Sequence, residues 1–387
     1  MFSRKYKNYD AYRFLYFQGI ARCKREFADF WHMRYRMNSV QLEDCKRIEE
    51  MPFIDWERLS NKTIVITGST GLIGSNLVNA LIYVNKVRGL GIKMILPVRN
   101  VGAAKKLFGE AAQIFSYNLG DKLELNCGMN YIIHLASPTG STYFTERPVD
   151  TMLENIEGTR AVLELTKDKN VKKFIYLSTM EVYGFPEKGH RVKENELGAF
   201  ETMNARNSYP IAKIACEALC NSYWSQYNVP VVILRATQTF GPGVKYDDGR
   251  VFAQFMRCAL EKTDIVLKSE GLTKRQYLYT ADAVSAILAG MLKGVSGESY
   301  SVANPNTCIS IRDMAQMVAD RIAKGTIKVR FDISEDIEKL GYAATLYMDL
   351  DVGRMLNLGW RPGIGLQEMY ERMIRGIEED ICSRQRY

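Results

Sequence analysis

The chain holds 387 residues, 47% hydrophobic, 25% charged and 11% aromatic, enough apolar material for one large domain or two closely coupled ones. Such fractions exclude a disordered chain, a collagen-like repeat and a small disulfide-stapled scaffold. The formal net charge of +8 is lopsided: residues 1 to 42 hold nine Lys or Arg against three acids, which leaves the other 345 residues near +2 and gives the body no call for a nucleic-acid partner.

Residues 1–60 read as a helical, basic and aromatic N-terminal extension. Phe14, Phe17, Phe27, Phe30 and Trp31 recur at roughly helical spacing, and the pattern predicts one or two amphipathic helices ending near Pro52. Their favoured role is to pack on the main body or on a sister subunit, with a nucleic-acid arm and a membrane-surface helix as the alternatives. From Lys62 the pattern becomes strand and helix in turn. Strands are expected at Thr63 to Ile66, Lys93 to Val98, Tyr131 to Leu135, Lys173 to Leu177 and Val229 to Leu234; helices are expected at Ile73 to Val84, Asn155 to Thr166 and Ile211 to Tyr227. That alternation predicts an α/β fold, a Rossmann-type doubly wound parallel sheet over residues 61–240. Beyond Gly241 the rhythm loosens. A helix from Ile311 to Ile322 and a last one from Leu366 to about Cys382 suit a smaller C-terminal substrate-binding lobe, residues 241–387, with some segments returning to the sheet.

Eight scattered cysteines form no Cys-x-x-Cys pair, which suits a reduced, cytoplasmic protein without structural zinc. Three histidines, His32, His134 and His190, are a poor supply for a metal site or a Ser-His-Asp triad, so no metal is expected. No run of about 18 apolar residues predicts a membrane span, and no apolar leader is recognisable at the N-terminus.

The strongest local signal is Thr67-Gly68-Ser69-Thr70-Gly71-Leu72-Ile73-Gly74, between the first strand and the first long helix. Glycines there allow a tight turn and let backbone N–H groups approach a pyrophosphate at the positive end of the helix, so a dinucleotide is the expected ligand. Further on, Tyr209 and Lys213 stand four apart at the start of a helix, which puts both on one face. An ammonium beside a phenol lowers the phenol's pKa, so Tyr209 is expected to exchange a proton near neutral pH. Pro210 fits only the first turn of that helix. Thr179 and Glu181 follow a buried strand, where side chains project into the ligand crevice of an open α/β sheet. Thr179 is suited to hold a sugar hydroxyl, and Glu181 to act as base or electrostatic partner.

The Gly-x-x-Gly-x-x-Gly spacing after Thr67, joined to Tyr209-x-x-x-Lys213, resembles the extended short-chain dehydrogenase/reductase superfamily, the NAD-dependent epimerases and dehydratases. Within it the chain is most similar to UDP-glucuronate decarboxylases. The similarity lies in His134-Leu135-Ala136-Ser137-Pro138, Arg206-Asn207-Ser208-Tyr209, Thr239-Phe240-Gly241-Pro242 and Asp248-Gly249-Arg250-Val251. Epimerases of this branch usually lack a glutamate at the position of Glu181, dehydratases carry Thr-Asp-Glu and decarboxylases Thr-Ser-Glu, where this chain has Thr179-Met180-Glu181. A thioether donates no proton, which disfavours water elimination.

The resemblance implies a tightly bound nicotinamide cofactor held by Gly68 to Gly74, Asn118, Leu119, Leu135, Ala136, Ser137, Tyr209 and Lys213. It implies a nucleotide sugar held by Ser137, Pro138, Met180, Glu181, Arg206, Gln238, Arg250 and Arg275, and a homodimer. Gln238 departs from the usual Asn, and Met180 from the usual Ser. Arg99 stands where an NAD site normally carries an acid, and an Arg there suits the 2′-phosphate of NADP, so NAD and NADP both stay open. The implied reaction is a closed redox cycle through a 4-keto sugar, ending in UDP-xylose. A 4,6-dehydratase, a 4-epimerase and a non-catalytic dinucleotide sensor are the alternatives.

Overall fold

The computed structural model describes residue 35 and residues 37–384, apart from 126, 139, 168–169 and 334–344. The aromatic run from Phe14 to Trp31 lies outside these residues. Seven parallel strands form the main sheet. From one edge to the other they are Ser299–Val302, Val231–Ala236, Lys173–Thr179, Tyr131–His134, Thr63–Thr67, Lys93–Val98 and Gln113–Ser116. The first strand in sequence sits inside the sheet, and the order runs outward from it in both directions. That reversal opens a crevice beyond the strands' carboxyl ends, where open α/β sheets bind ligands.

Thr-Ile-Val-Ile-Thr at the sheet centre is β-branched throughout, and Ile64, Val65 and Ile66 are fully buried because helices cover both faces. The helix Leu72–Arg88 begins at Gly71 and ends at Gly89, whose left-handed backbone (φ 65°) closes it. Expected elements are present with shifted ends. The helix read from Asn155 starts at Pro148, a residue suited to a helix's first position. The Tyr209 helix spans Ser208–Tyr227, which places Pro210 in its first turn. The expected Ile311 to Ile322 helix is α-helical only over Ile311–Met317 and continues as a π-helical turn, Val318–Ile322.

A second sheet joins Asn304–Ser310, Lys274–Tyr279, Tyr347–Leu350 and Arg191–Val192, and Gln238–Phe240 pairs with Lys274–Tyr279 beside them. This arrangement brings Gln238 and Arg275 towards the carboxyl edge of the main sheet. Ile265–Leu267 and Val329–Phe331 form a separate parallel pair.

The described part of the N-terminal extension is built into the body. Its helix Ser39–Glu49 opens with a reciprocal cap, in which Gln41 N–H donates to Asn38 Oδ1 (2.9 Å) and Asn38 N–H to Gln41 Oε1 (3.2 Å). Val40, Cys45 and Ile48 are buried. Beneath them Asp44 accepts from Tyr279 Oη (2.6 Å) and from Arg372 Nη2 (2.8 Å), while Arg372 Nε donates to the same Tyr279 oxygen (2.8 Å). Tyr279 ends the strand that carries Arg275, and Arg372 belongs to the last helix, Leu366–Arg384. No helix among the described residues is long and apolar enough to cross a membrane.

Candidate active site

A cleft of about 1160 Å³ runs along the carboxyl edge of the sheet. Its wall is made where strands end: the Thr67–Ser75 turn, Pro97 to Asn100, Tyr117 to Leu119, Leu135 to Pro138, Leu177 to Glu181 and Ala236 to Thr239. Gly68 has φ +70°, and a Cβ on it would stand 2.6 Å from the Ala136 nitrogen. A Cβ on Gly74 would stand 2.1 Å from the Gly68 carbonyl oxygen. The turn and the helix can approach this closely only without side chains, and the result is a backbone cradle at the helix N-terminus, shaped for a pyrophosphate. Ser69 is the exception among the turn residues, because its side chain is fully buried behind the cradle.

His134 fixes the strand beside this turn. Its Nδ1 shares a 2.7 Å hydrogen bond with Thr67 Oγ1 and its Nε2 faces Thr159 Oγ1 at 3.3 Å. Burial pushes its pKa down to about 3, so the ring is neutral. Arg99 is exposed on the cleft wall, and no carboxylate accompanies it in the lining stretch Pro97 to Asn100. Asn118 also lines the wall and donates to Asp121 Oδ2 (3.1 Å).

At the inner end of the cleft the Tyr209 hydroxyl faces the side chains of Thr179 and Ser137. Ser137 in turn donates to Asn155 Oδ1 (2.8 Å). Lys213 is buried below, its Nζ donating to the Leu177 carbonyl (2.8 Å) and lying 4.3 Å from the Tyr176 ring centroid. Burial lowers its pKa to about 8. The expectation that Lys213 lowers the phenol's pKa is corrected here. Burial, with the Glu181 carboxylate adding to it, holds Tyr209 well above the ordinary phenol range, while the ammonium spends its hydrogen bond on a backbone carbonyl. This environment keeps the proton on Tyr209.

Glu181 projects into the cleft from the short turn Met180–Tyr183. Burial raises its pKa, and Arg206 and Arg275 pull it back down. Arg206 reaches the cleft through Glu181, 4.0 Å away. Arg275 lines the wall, and its Nε is buried without a hydrogen-bond partner among the described residues. Met180 is almost fully buried, and its sulfur accepts from Thr237 Oγ1 (3.1 Å). Gln238 and Pro138 line the wall. Arg250 does too, and there it chelates Asp248, Nη2 to Oδ2 at 2.6 Å. No group of three or more potential metal ligands occurs among the described residues.

Motif reading missed Phe144, whose ring lies flat against Tyr209, and Asn155, which aims Ser137. Neither belongs to a recognisable motif, and both act by contact across elements far apart in sequence. It also missed Asp248 as a competitor for Arg250, although the two stand only two residues apart.

Residues 64–303, more than half of the chain, match the NAD dependent epimerase/dehydratase family. The chain belongs to this family. Among its relatives, UDP-glucuronic acid decarboxylase 1 of Arabidopsis thaliana is 29% identical over 329 residues, 83% of this chain and 71% of the relative. The dTDP-D-glucose 4,6-dehydratase of Mus musculus is 25% identical over 330 residues, 83% of this chain and 90% of the relative. The fold matches a UDP-glucose 4-epimerase from Thermotoga maritima solved with UDP-glucose, at TM-score 0.69 and 21% identity, covering 82% of this chain and 99% of that one. A UDP-glucuronic acid 4-epimerase from Bacillus cereus, solved with NAD, matches at TM-score 0.65 and 22% identity, covering 82% and 99%.

Proposed function

We propose that this epimerase/dehydratase family member decarboxylates UDP-glucuronate to UDP-xylose with retained NAD. The observation that carries the reading is the group around Glu181: two arginines face one carboxylate, and the buried Arg275 Nε is left with a donor to offer. A substrate bearing its own carboxylate suits that surplus of positive charge, whereas a neutral hexose does not use it. Met180 supports the choice against water elimination, since its sulfur can only accept.

The glycine cradle and Leu135 to Ser137 would hold the dinucleotide, and residues 61–240 form the cofactor-binding part. Residues 241–387, with Arg250 and Arg275, form most of the substrate lobe. A nicotinamide bound there supplies reversible hydride acceptance at C4. Tyr209 takes the C4-hydroxyl proton, with Thr179 and Ser137 orienting the oxygen. Lys213, still largely an ammonium at neutral pH, is held on the Leu177 carbonyl, and Tyr209, whose proton burial retains, would become the base only once ligand binding adds positive charge to the cleft. The 4-keto sugar is a β-keto acid, so the C5–carboxylate bond breaks with its electron pair flowing into the carbonyl, and carbon dioxide leaves. Glu181 or water returns a proton to C5, and Tyr209 reprotonates the C4 oxygen as the sugar is reduced. Arg275 holds the carboxylate until it departs. Arg250 holds the diphosphate after leaving Asp248.

A homodimer follows from the resemblance and is supported by the helix Pro148–Glu164, which exposes Val149 (66%) and Leu153 (48%). Incubation with UDP-glucuronate and product mass analysis tests the reaction. Loss of the mass of carbon dioxide is expected. Loss of water, or altered stereochemistry at constant mass with any nucleotide sugar, overturns the decarboxylase reading in favour of a dehydratase or an epimerase.

A further inference from the structure

We propose that the buried ion pair Glu217–Arg235 is a positioning device that keeps Tyr209 and Lys213 in register with Thr179 and Glu181. The inference rests on the reading that these four residues carry the chemistry. Tyr209, Lys213 and Glu217 follow one another at intervals of four along the helix Ser208–Tyr227, and so share a face. Two of them belong to the site; Glu217 lies beyond it, 6% exposed, where a charge needs a reason.

Its partner Arg235, 4% exposed, lies on the strand Val231–Ala236. The contact is a fork: Arg235 Nε donates to Glu217 Oε1 (3.0 Å) and Nη2 to Oε2 (2.6 Å). The remaining bonds lead in two directions. Glu217 accepts from the hydroxyl of Ser178, the residue directly before Thr179. Arg235 Nη1 donates to Tyr183 Oη (3.2 Å) and to the Glu194 carbonyl (2.5 Å), and Tyr183 Oη is held again by Ser301 Oγ (2.6 Å). Tyr183 closes the Met180–Tyr183 turn that bears Glu181.

The pair therefore grips the segment carrying Thr179 and Glu181 at both ends, and ties it to the helix that carries Tyr209 and Lys213. Buried ion pairs are often no more stabilising than apolar residues of the same volume, so stability alone is a weak reason for this one. Directed bonds that fix a catalytic distance are a stronger one, because a misplacement of about 1 Å can cost about a hundredfold in rate. Around Lys213 stand the Tyr176 ring, His134, Cys216, Cys220 and Glu217. The Glu217 carboxylate supports the ammonium form of Lys213.

Three variants of the full chain test the device: Glu217→Gln, which keeps the shape and removes the charge, Glu217→Asp, and Ser178→Ala, which removes one hydroxyl. With the nucleotide sugar that the wild type turns over, kcat is expected to fall about ten- to a hundredfold in Glu217→Gln and about tenfold in Ser178→Ala, with KM within about threefold. Glu217→Asp, which keeps the charge, recovers part of the loss. In Glu217→Gln the alkaline limb of the rate profile moves to lower pH by about one unit, whereas in Ser178→Ala it stays. Folded variants with wild-type kcat and an unmoved limb overturn the proposal. Should Glu217→Gln not fold, the kcat of Ser178→Ala decides alone. A wild type that turns over no nucleotide sugar sinks the proposed reaction and not this device. The readout is then the pH dependence of Lys213 acylation in wild type and Glu217→Gln, and identical midpoints overturn the proposal.

Discussion

The ring of Phe144 lies parallel to that of Tyr209, with centroids 4.2 Å apart and 6° between the planes. The Arg206 guanidinium stands 5.8 Å from the Phe144 ring centroid, so the aromatic pair links the phenol to the arginine that faces Glu181. Phe144→Ala removes the wall that fixes the phenol's plane. We expect kcat to fall about tenfold, since aromatic contacts of this kind are worth about 1 kcal/mol beyond burial and the phenol also gains room to tilt. Phe144→Leu should lie between. Steady-state kinetics on folded protein check this, and unchanged kcat in Phe144→Ala refutes it.

Gly74 makes a sharper test of the cofactor cradle than the turn's outer residues do. A Cβ 2.1 Å from the Gly68 oxygen and 2.9 Å from the Ser69 Cα cannot be relieved by rotating a side chain, because both neighbours are backbone. Gly74→Ala is expected to weaken dinucleotide binding at least tenfold, about 1.4 kcal/mol, as read by fluorescence titration with NADH. Full affinity would show that the cradle is not where the dinucleotide sits.

His134 sets a pH dependence of stability. Its pKa drops from 6.5 to about 3 on folding because burial disfavours the charged ring, so the unfolded chain binds the proton first as the solution is acidified. The contribution is complete above about pH 6.5 and shrinks as pH falls towards 3. Between pH 6.5 and 4 the loss is about 3 kcal/mol. His134→Asn keeps a polar atom opposite Thr67 and has no proton to gain, so its urea unfolding free energy should fall less steeply over that range. Equal slopes in variant and wild type would place the acid sensitivity elsewhere.

Arg99 bears on cofactor choice. The stretch Pro97 to Asn100, at the end of the second strand, brings a cation and no carboxylate to the cleft wall, where the proposed dinucleotide would place its adenosine ribose. Arg99→Asp should weaken NADP more than NAD by tenfold or more, through repulsion of the 2′-phosphate. Dissociation constants for both cofactors measure this, and an unchanged ratio would remove Arg99 from the site.

Most of the sheet was legible because a parallel strand buried on both faces is a short apolar, β-branched run that resembles little else. Thr63–Thr67 and Lys173–Thr179 are of this kind. Cleft residues at strand ends were legible for the same reason: once the strands are placed, Thr179 and Arg99 follow. Other features depend on contacts that local pattern does not encode. The phenol of Tyr209 is governed by how deeply it is buried and by where Lys213 sends its proton, and a spacing of four residues shows neither. Phe144 meets Tyr209 across a separation of 65 positions in the sequence. Over residues 38–49 the basic, aromatic extension holds a capped helix and an acid, Asp44, sealed beneath the last helix, a long-range contact that no local pattern announces.

That last contact has a consequence for synthesis. Asp44 and Arg372 lie 328 positions apart, so the partner of Asp44 leaves the ribosome long after Asp44 itself. At about 5–20 residues per second the wait is roughly 15 to 65 s. Throughout it, the face of the first described helix bearing Val40, Cys45 and Ile48 lacks part of its cover. Final closure of that face therefore waits until the Leu366–Arg384 helix has been made, long after the helix that it covers.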